Sequence, residues 1–137
     1  MLAEQPQPVY LVGGIVRDAL LERVSHDIDL IVPRDAISLT FELARRLDLP
    51  AYRLDDERDV GRLLVPNSAT TVDIARFRGE TLADDLRARD FTINALALPV
   101  AARTAAEVID YHSGRADLAA RRLHAIHGHS ISDDPVR

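Results

Sequence analysis

The chain has 137 residues, of which 47% are hydrophobic and 28% charged, with a formal net charge of −5 and no cysteine. That length predicts one domain with a compact core, and the lack of cysteine excludes disulfides and thiolate zinc sites. No apolar run approaches the roughly 18 residues of a membrane span, and the acidic balance argues against a broad basic surface, so a polynucleotide would be held by a few arginines or by parts of the protein outside this chain.

Residues 1–8 hold two prolines and two glutamines and are expected to be a flexible lead-in. They carry neither a basic region nor a long apolar segment, so they do not read as a signal peptide, and a cytoplasmic protein is expected. Val9 to Val12 form an apolar strand that ends at Gly13-Gly14. A helix is expected from Gly14 to Val24, with Val16, Ala19, Leu20 and Val24 as its buried stripe and Arg17 and Asp18 in its first turn. A second strand over 27–32 stops at Pro33. A second helix over 35–47 takes Asp35 as its N-cap, with Leu39, Leu43 and Leu47 repeating along one face. Ala51 to Leu54 is a short strand, and 55–59 a solvated charged turn. Val60 to Val65 and Thr70 to Phe77 form a hairpin around Pro66-Asn67-Ser68.

Beyond it, DDLRARDFTINALAL suggests a short helix with apolar contacts from Ile93, Leu96 and Ala97. A strand over 107–110, a helix over Gly114 to Arg121 and a last strand over Arg122 to Ile126 follow. His124, His127 and His129 have no zinc spacing and read as structural or surface residues. Asp133 or Asp134 with Pro135 would open a further helix, so 9–126 is expected to be the folded domain and 127–137 the cut beginning of a further part.

The stretch VYLVGGIVRDALLERVSHDIDLIV carries most of the chemistry. Asp27 and Asp29 are two apart on a strand and project together, leaving Ile28 and Leu30 for the core. Two adjacent hard oxygen ligands suit Mg2+, which completes its shell with water and phosphate. Gly13-Gly14 lets the backbone turn sharply beside a ligand, and the helix that follows presents amides that favour an anion. Arg17 is a forked phosphate donor. Asp73 gains meaning only if its strand lies beside that of Asp27 and Asp29, where three carboxylates would hold two metals for an in-line phosphoryl displacement. Arg89 would hold phosphate, and Asp90 and Asn94 would bond a sugar or order the site.

On these residues the chain resembles the class II tRNA nucleotidyltransferase and bacterial poly(A) polymerase family. LVGGIVRDALLERVSHDIDLIV resembles its opening motif, RDFTINALAL its second, VIDYHSGRADLAARRLHAI the stretch after that, and DDPVR the passage from head to neck. The resemblance implies an α+β, polymerase-β-like nucleotidyltransferase head, a small mixed sheet flanked by helices. It implies that Asp27, Asp29 and Asp73 are the catalytic Mg2+ ligands. Gly14, Arg17, Arg89, Asp134 and Arg137 would lie on the incoming CTP or ATP, with Gly13, Asp18, Asp90 and Asn94 supporting the pocket. The implied reaction is attack of an RNA 3′-hydroxyl, on tRNA, at the α-phosphate with release of pyrophosphate.

The sequence departs from the family at three points. Ala88-Arg89 replaces an arginine pair, the segment Arg78 to Asp85 is short where CCA-adding members carry a flexible loop, and the neck, body and tail are missing. A poly(A) polymerase or a partial CC- or A-adding enzyme is therefore an alternative, and a non-catalytic nucleotide-binding module is an alternative of another class. A phosphatase would place its apolar strand before the aspartates. A dinucleotide-binding fold would need a third glycine and a placed ribose acid.

Overall fold

The computed structural model describes residues 2–127. In chain order the elements are β1 (Tyr10–Val12), α1 (Gly14–Leu20), β2 (Asp27–Val32), α2 (Ala36–Leu47), β3 (Ala51–Asp55), β4 (Val60–Leu64), β5 (Thr71–Arg76), α3 (Leu82–Arg87), β6 (Ala97–Pro99) and α4 (Gly114–Ala119). Three-residue 3-10 turns lie at Leu2–Glu4, Thr92–Asn94 and Ala105–Glu107. The strands form one mixed sheet in the order β3-β4-β5-β2-β1-β6. Only β2 and β5 run parallel; the other neighbours are antiparallel. This is the small mixed sheet with flanking helices expected of the head domain. No helix among the described residues is long and apolar enough to cross a membrane.

Strand alternation divides the sheet into two faces. Leu30 and Val32 of β2, Leu63 of β4 and Ile74 of β5 meet Leu39 and Leu43 of α2 in the larger core, with Ile28 packed against it. The opposite face carries Asp27, Asp29 and Ile31, and there Ile31 joins Val12, Phe77, Leu86, Ala95 and Ala97 in a second cluster. Apolar burial therefore fixes which way the two β2 aspartates point: a slip of one residue would drive Asp29 into the α2 layer. The expected lead-in makes contacts as well. Leu2 packs on the larger core, and the Gln7 amide donates to the Arg34 carbonyl at 2.8 Å while accepting the Arg34 N–H.

Several local expectations are corrected. The first helix stops at Leu20. Glu22 adopts a φ of 56°, and the Arg23 N–H closes onto the Asp18 carbonyl at 2.8 Å, a left-handed helix end reached a turn early. Of the expected stripe only Val16 is fully buried, Ala19 is exposed, and Val24 is 84% exposed. Asp35 does sit at the cap position of α2, but in a left-handed conformation and with no capping bond from its side chain. The cap comes from Asp59, whose two carboxylate oxygens accept the Ala36 and Ile37 N–H groups at 2.9 Å each. The charged turn is thus a structural device at its last residue. Leu47 at the end of the α2 stripe is exposed.

The region after β5 differs most from expectation. The helix there is α3, opened by a reciprocal capping box between Thr81 and Asp84, while the expected helix around Ile93 is a single 3-10 turn. Tertiary bonds override helix propensity at that turn. Phe91 forms an isolated bridge with Ala125, and the buried Thr92 hydroxyl donates to buried Asp117 of α4 at 2.5 Å. A Cβ on Gly114 would fall 2.1 Å from the Thr92 carbonyl oxygen, so α4 packs backbone against backbone where only glycine fits. The strands expected over 107–110 and 122–126 are reduced to isolated bridges, Ala97 with Ile109 and Phe91 with Ala125. The helix expected over Gly114 to Arg121 is present, two residues shorter. His124 lies on the surface with its Nδ1 3.5 Å from Asp117. His129 and the expected opening of the neck at Asp133, Asp134 and Pro135 lie outside the described residues.

Candidate active site

One row of register partners crosses the whole sheet: Tyr52 on β3, Arg62 on β4, Asp73 on β5, Asp29 on β2, Val12 on β1 and Ala97 on β6. The parallel pairing of β2 with β5 sets Asp73 directly beside Asp29, and Thr71 beside Asp27. Asp27 is exposed and Asp29 half-buried; the Thr71 hydroxyl lies 3.4 Å from Asp27 Oδ1. Burial, and then the negative charges of Asp73 and Asp27, push the Asp29 carboxyl above its usual range, against the opposing pull of Arg89 and Arg62. Negative charge gathered around Asp29 in this way favours a cation nearby.

Beside Asp29 opens a cleft of about 260 Å³ lined by Gly13, Gly14, Arg17, Arg78, Arg89, Asp90 and Asn94. Six of the nine residues expected to serve a nucleotide therefore share one cavity with a carboxylate expected to serve a metal. Gly13, at the cap of α1, takes a φ of 71° and a ψ of −138°, a conformation costly for any other residue. A Cβ there would make only ordinary contacts, 3.5 Å from Arg89 Nη1 and 4.0 Å from Asp29 Oδ2, so the backbone conformation and not crowding calls for glycine.

The cleft cations are held in place. Arg17 donates from Nε to Asp18 at 3.1 Å and from Nη1 to Asn94 Oδ1 at 2.8 Å. Asp18 thus stands behind Arg17, outside the lining, and Asn94 ties α1 to the 3-10 turn. Arg89 donates from Nε and Nη2 to Asp85 Oδ2 at 3.1 and 3.0 Å, while Asp85 Oδ1 accepts the Arg78 N–H at 2.8 Å. The Asp85 side chain is 1% exposed. It is a buried anchor joining the two cleft arginines, and buried carboxylates persist only when so paired. The Asp90 carbonyl accepts the Ile126 N–H at 2.9 Å. Asp134 and Arg137 lie outside the described residues.

Arg62, Arg78 and Asp85 were not singled out by the sequence. Asp85 and Arg89 stand four apart, the one signal that could have paired them. The partner of Arg62 depends on strand register, which local pattern does not reveal.

For a metal, Asp27 and Asp29 offer hard oxygen donors on one face, and this donor chemistry fits a divalent cation of the Mg2+ kind. Asp73 differs, since Arg62 bonds both its oxygens, Nε to Oδ1 at 2.6 Å and Nη2 to Oδ2 at 2.9 Å. Consistent with that, no group of three or more His, Asp or Glu is assembled for a metal among the described residues.

A family model, the poly A polymerase head domain, matches residues 9–83 and 78–124. The chain belongs to this family. As a poly A polymerase head domain it is 39% identical over 128 residues to a CC-adding tRNA nucleotidyltransferase of Geobacter sulfurreducens, covering 93% of this chain and 29% of that protein. It is 34% identical over 142 residues to an A-adding tRNA nucleotidyltransferase of Aquifex aeolicus, covering 93% of this chain and 17% of that protein. Its fold matches a tRNA nucleotidyltransferase solved with a primer tRNA and an incoming ATP analogue, with a TM-score of 0.85 and 34% identity over 99% of this chain and 42% of that one. A CCA-adding enzyme solved with ATP matches with a TM-score of 0.83. The head domain thus spans less than half the length of the proteins it resembles.

Proposed function

We propose that this head domain binds CTP or ATP with Mg2+ and serves a template-independent RNA nucleotidyltransferase that adds CMP or AMP to a tRNA 3′ end. The observation that carries the reading is the single cleft in which Asp29 meets Gly13, Gly14, Arg17, Arg89 and Asn94. A triphosphate needs cations and a closely approaching backbone, and a metal needs hard oxygen ligands. Asp29 and the groups suited to a triphosphate line the same space, which supports the reading.

In this reading Asp27 and Asp29, joined by Asp73, hold Mg2+, which when bound would neutralise charge on the reacting phosphates. Arg17, fixed by Asp18 and Asn94, and Arg89, fixed by Asp85, hold the triphosphate. Gly13 and Gly14 let the backbone come close to it, and Asp90 and Asn94 order the pocket. Asp134 and Arg137 complete the nucleotide site. The RNA 3′-hydroxyl attacks the α-phosphorus and pyrophosphate leaves, so catalysis rests on positioning and charge stabilisation. RNA contacts and the choice between bases belong to the regions that the longer relatives possess.

A second reading within the same chemistry is a partial activity, CC-addition or A-addition. Two observations favour it: β5 is followed closely by α3, leaving a short link instead of an extended loop, and relatives with each partial activity match at similar identity. Labelled CTP against labelled ATP, offered with tRNA to the full-length protein, separates these activities.

The test of the head itself is calorimetry of CTP and ATP binding with and without Mg2+, beside an Asp27→Ala/Asp29→Ala variant. Metal-dependent binding of both triphosphates, lost in the variant, is the expected result. Mg2+-dependent binding that survives in the variant would sink the metal assignment.

A further inference from the structure

Asp73 stands at the third carboxylate position, yet a guanidinium already bonds both of its oxygens. Arg62 is its register partner on the neighbouring antiparallel strand, so the two side chains rise together from one face of the sheet. The contact is a fork on a carboxylate, with N···O distances of 2.6 and 2.9 Å, the strongest common geometry for an ion pair. Tyr52, next in the same row, places its hydroxyl oxygen 3.4 Å from Arg62 Nη1, so the guanidinium is supported on the side away from Asp73. Within this row of Tyr52, Arg62, Asp73 and Asp29, Arg62 is the one cation.

We propose that Arg62 is a positioning residue, the built-in counter-ion of Asp73, so that the carboxylate cluster takes one divalent cation at Asp27 and Asp29 and a second only when the guanidinium leaves Asp73. The inference rests on the reading of these aspartates as metal ligands. A dication and a guanidinium compete for the same two oxygens and repel one another across a few ångströms. The side chains of Arg62 and Asp73 are 30% and 21% exposed. That is wet enough for a long arginine to swing outward, and dry enough for the pair to hold at rest. A strand cation in this place would let the site hold its three aspartates together in the absence of the second metal.

The experiment is a Mn2+ titration of the chain, with bound ions counted from the loss of the free-ion electron paramagnetic resonance signal. Wild type should take one equivalent, lost in Asp27→Ala/Asp29→Ala. Arg62→Gln should take two, and bind the first about tenfold more tightly once the opposing charge is gone. Arg62→Lys keeps the charge and the bulk but cannot cover both oxygens. It should also admit a second ion, more weakly, and it carries the test should Arg62→Gln fail to fold by circular dichroism. Two equivalents in wild type, or one equivalent with unchanged affinity in both Arg62 variants, would overturn the inference and leave the metal reading standing. No binding to any of these proteins at millimolar Mn2+ would overturn the metal reading and the inference with it.

Discussion

Residues 9–77 and residues 78–127 are built on different principles. The first region contains five of the six strands and the one long helix, α2 of 12 residues, packed on a continuous apolar layer. The second contains α3, β6 and α4, of 6, 3 and 6 residues, too short to hold their shape by local bonding. Four polar or charged residues are buried among the described ones, Thr40, Asp85, Thr92 and Asp117, and three of them lie in this second region. There the chain is pinned by Asp85 to Arg89 and the Arg78 N–H, and by Thr92 to Asp117. One side of the candidate cleft therefore stands on apolar layers, and the other adds a few buried polar bonds to a smaller apolar cluster. Layers spread a loss over many contacts, whereas a polar pin concentrates it.

That contrast orders the expected effects of substitution. The largest belongs to Asp85→Ala, which leaves the Arg89 guanidinium, 15% exposed, and a backbone N–H without their shared carboxylate. Breaking a buried pair in this way costs about 3–5 kcal/mol, measurable by urea unfolding, and should weaken triphosphate binding as Arg89 loses its anchor. Next comes Gly61→Ala, under α2. The added Cβ would meet Thr40 Oγ1 at 2.4 Å and Thr40 Cγ2 at 2.8 Å, an overpacking of about 1–3 kcal/mol. A layered core can relax around it, so Thr40→Ala in the same chain should recover part of the loss in a double-mutant cycle. The smallest is Asp59→Ala, which removes the cap of α2 for about 1 kcal/mol. Should Asp85→Ala cost less than Gly61→Ala, the division of the molecule into layered and pinned halves would fail.

The same division decides what the sequence makes legible. The span 27–32 was readable to the residue because apolar alternation against α2 leaves no other register for β2. The hairpin of β4 and β5 was readable because Pro66-Asn67-Ser68 stands between two runs rich in apolar residues. Gly13, Gly14 and Arg17 were readable because they follow a strand at fixed spacing, and the nearness of Asp73 to Asp29 needed only the pairing of two recognisable strands. In the second region the periodic signal is gone. The position of Thr92 is set by Asp117, 25 residues away, and α4 is admitted there by the missing side chain of Gly114. Neither contact leaves a mark on the local pattern. Arg62 escaped for a related reason: on β4 it is one more alternating polar residue, and only cross-strand register gives it a partner.

The cap of α2 has a consequence for the order of assembly. Its donors at Ala36 and Ile37 wait for a carboxylate 23 and 22 positions further on, delivered by the turn that joins β3 to β4. The first turn of the helix is thus completed only where the β3–β4 turn lies against it. Closing a loop of that length costs chain entropy before the contact repays it. Asp59→Ala is therefore expected to quicken unfolding more than it slows folding, which stopped-flow unfolding and refolding in urea would show.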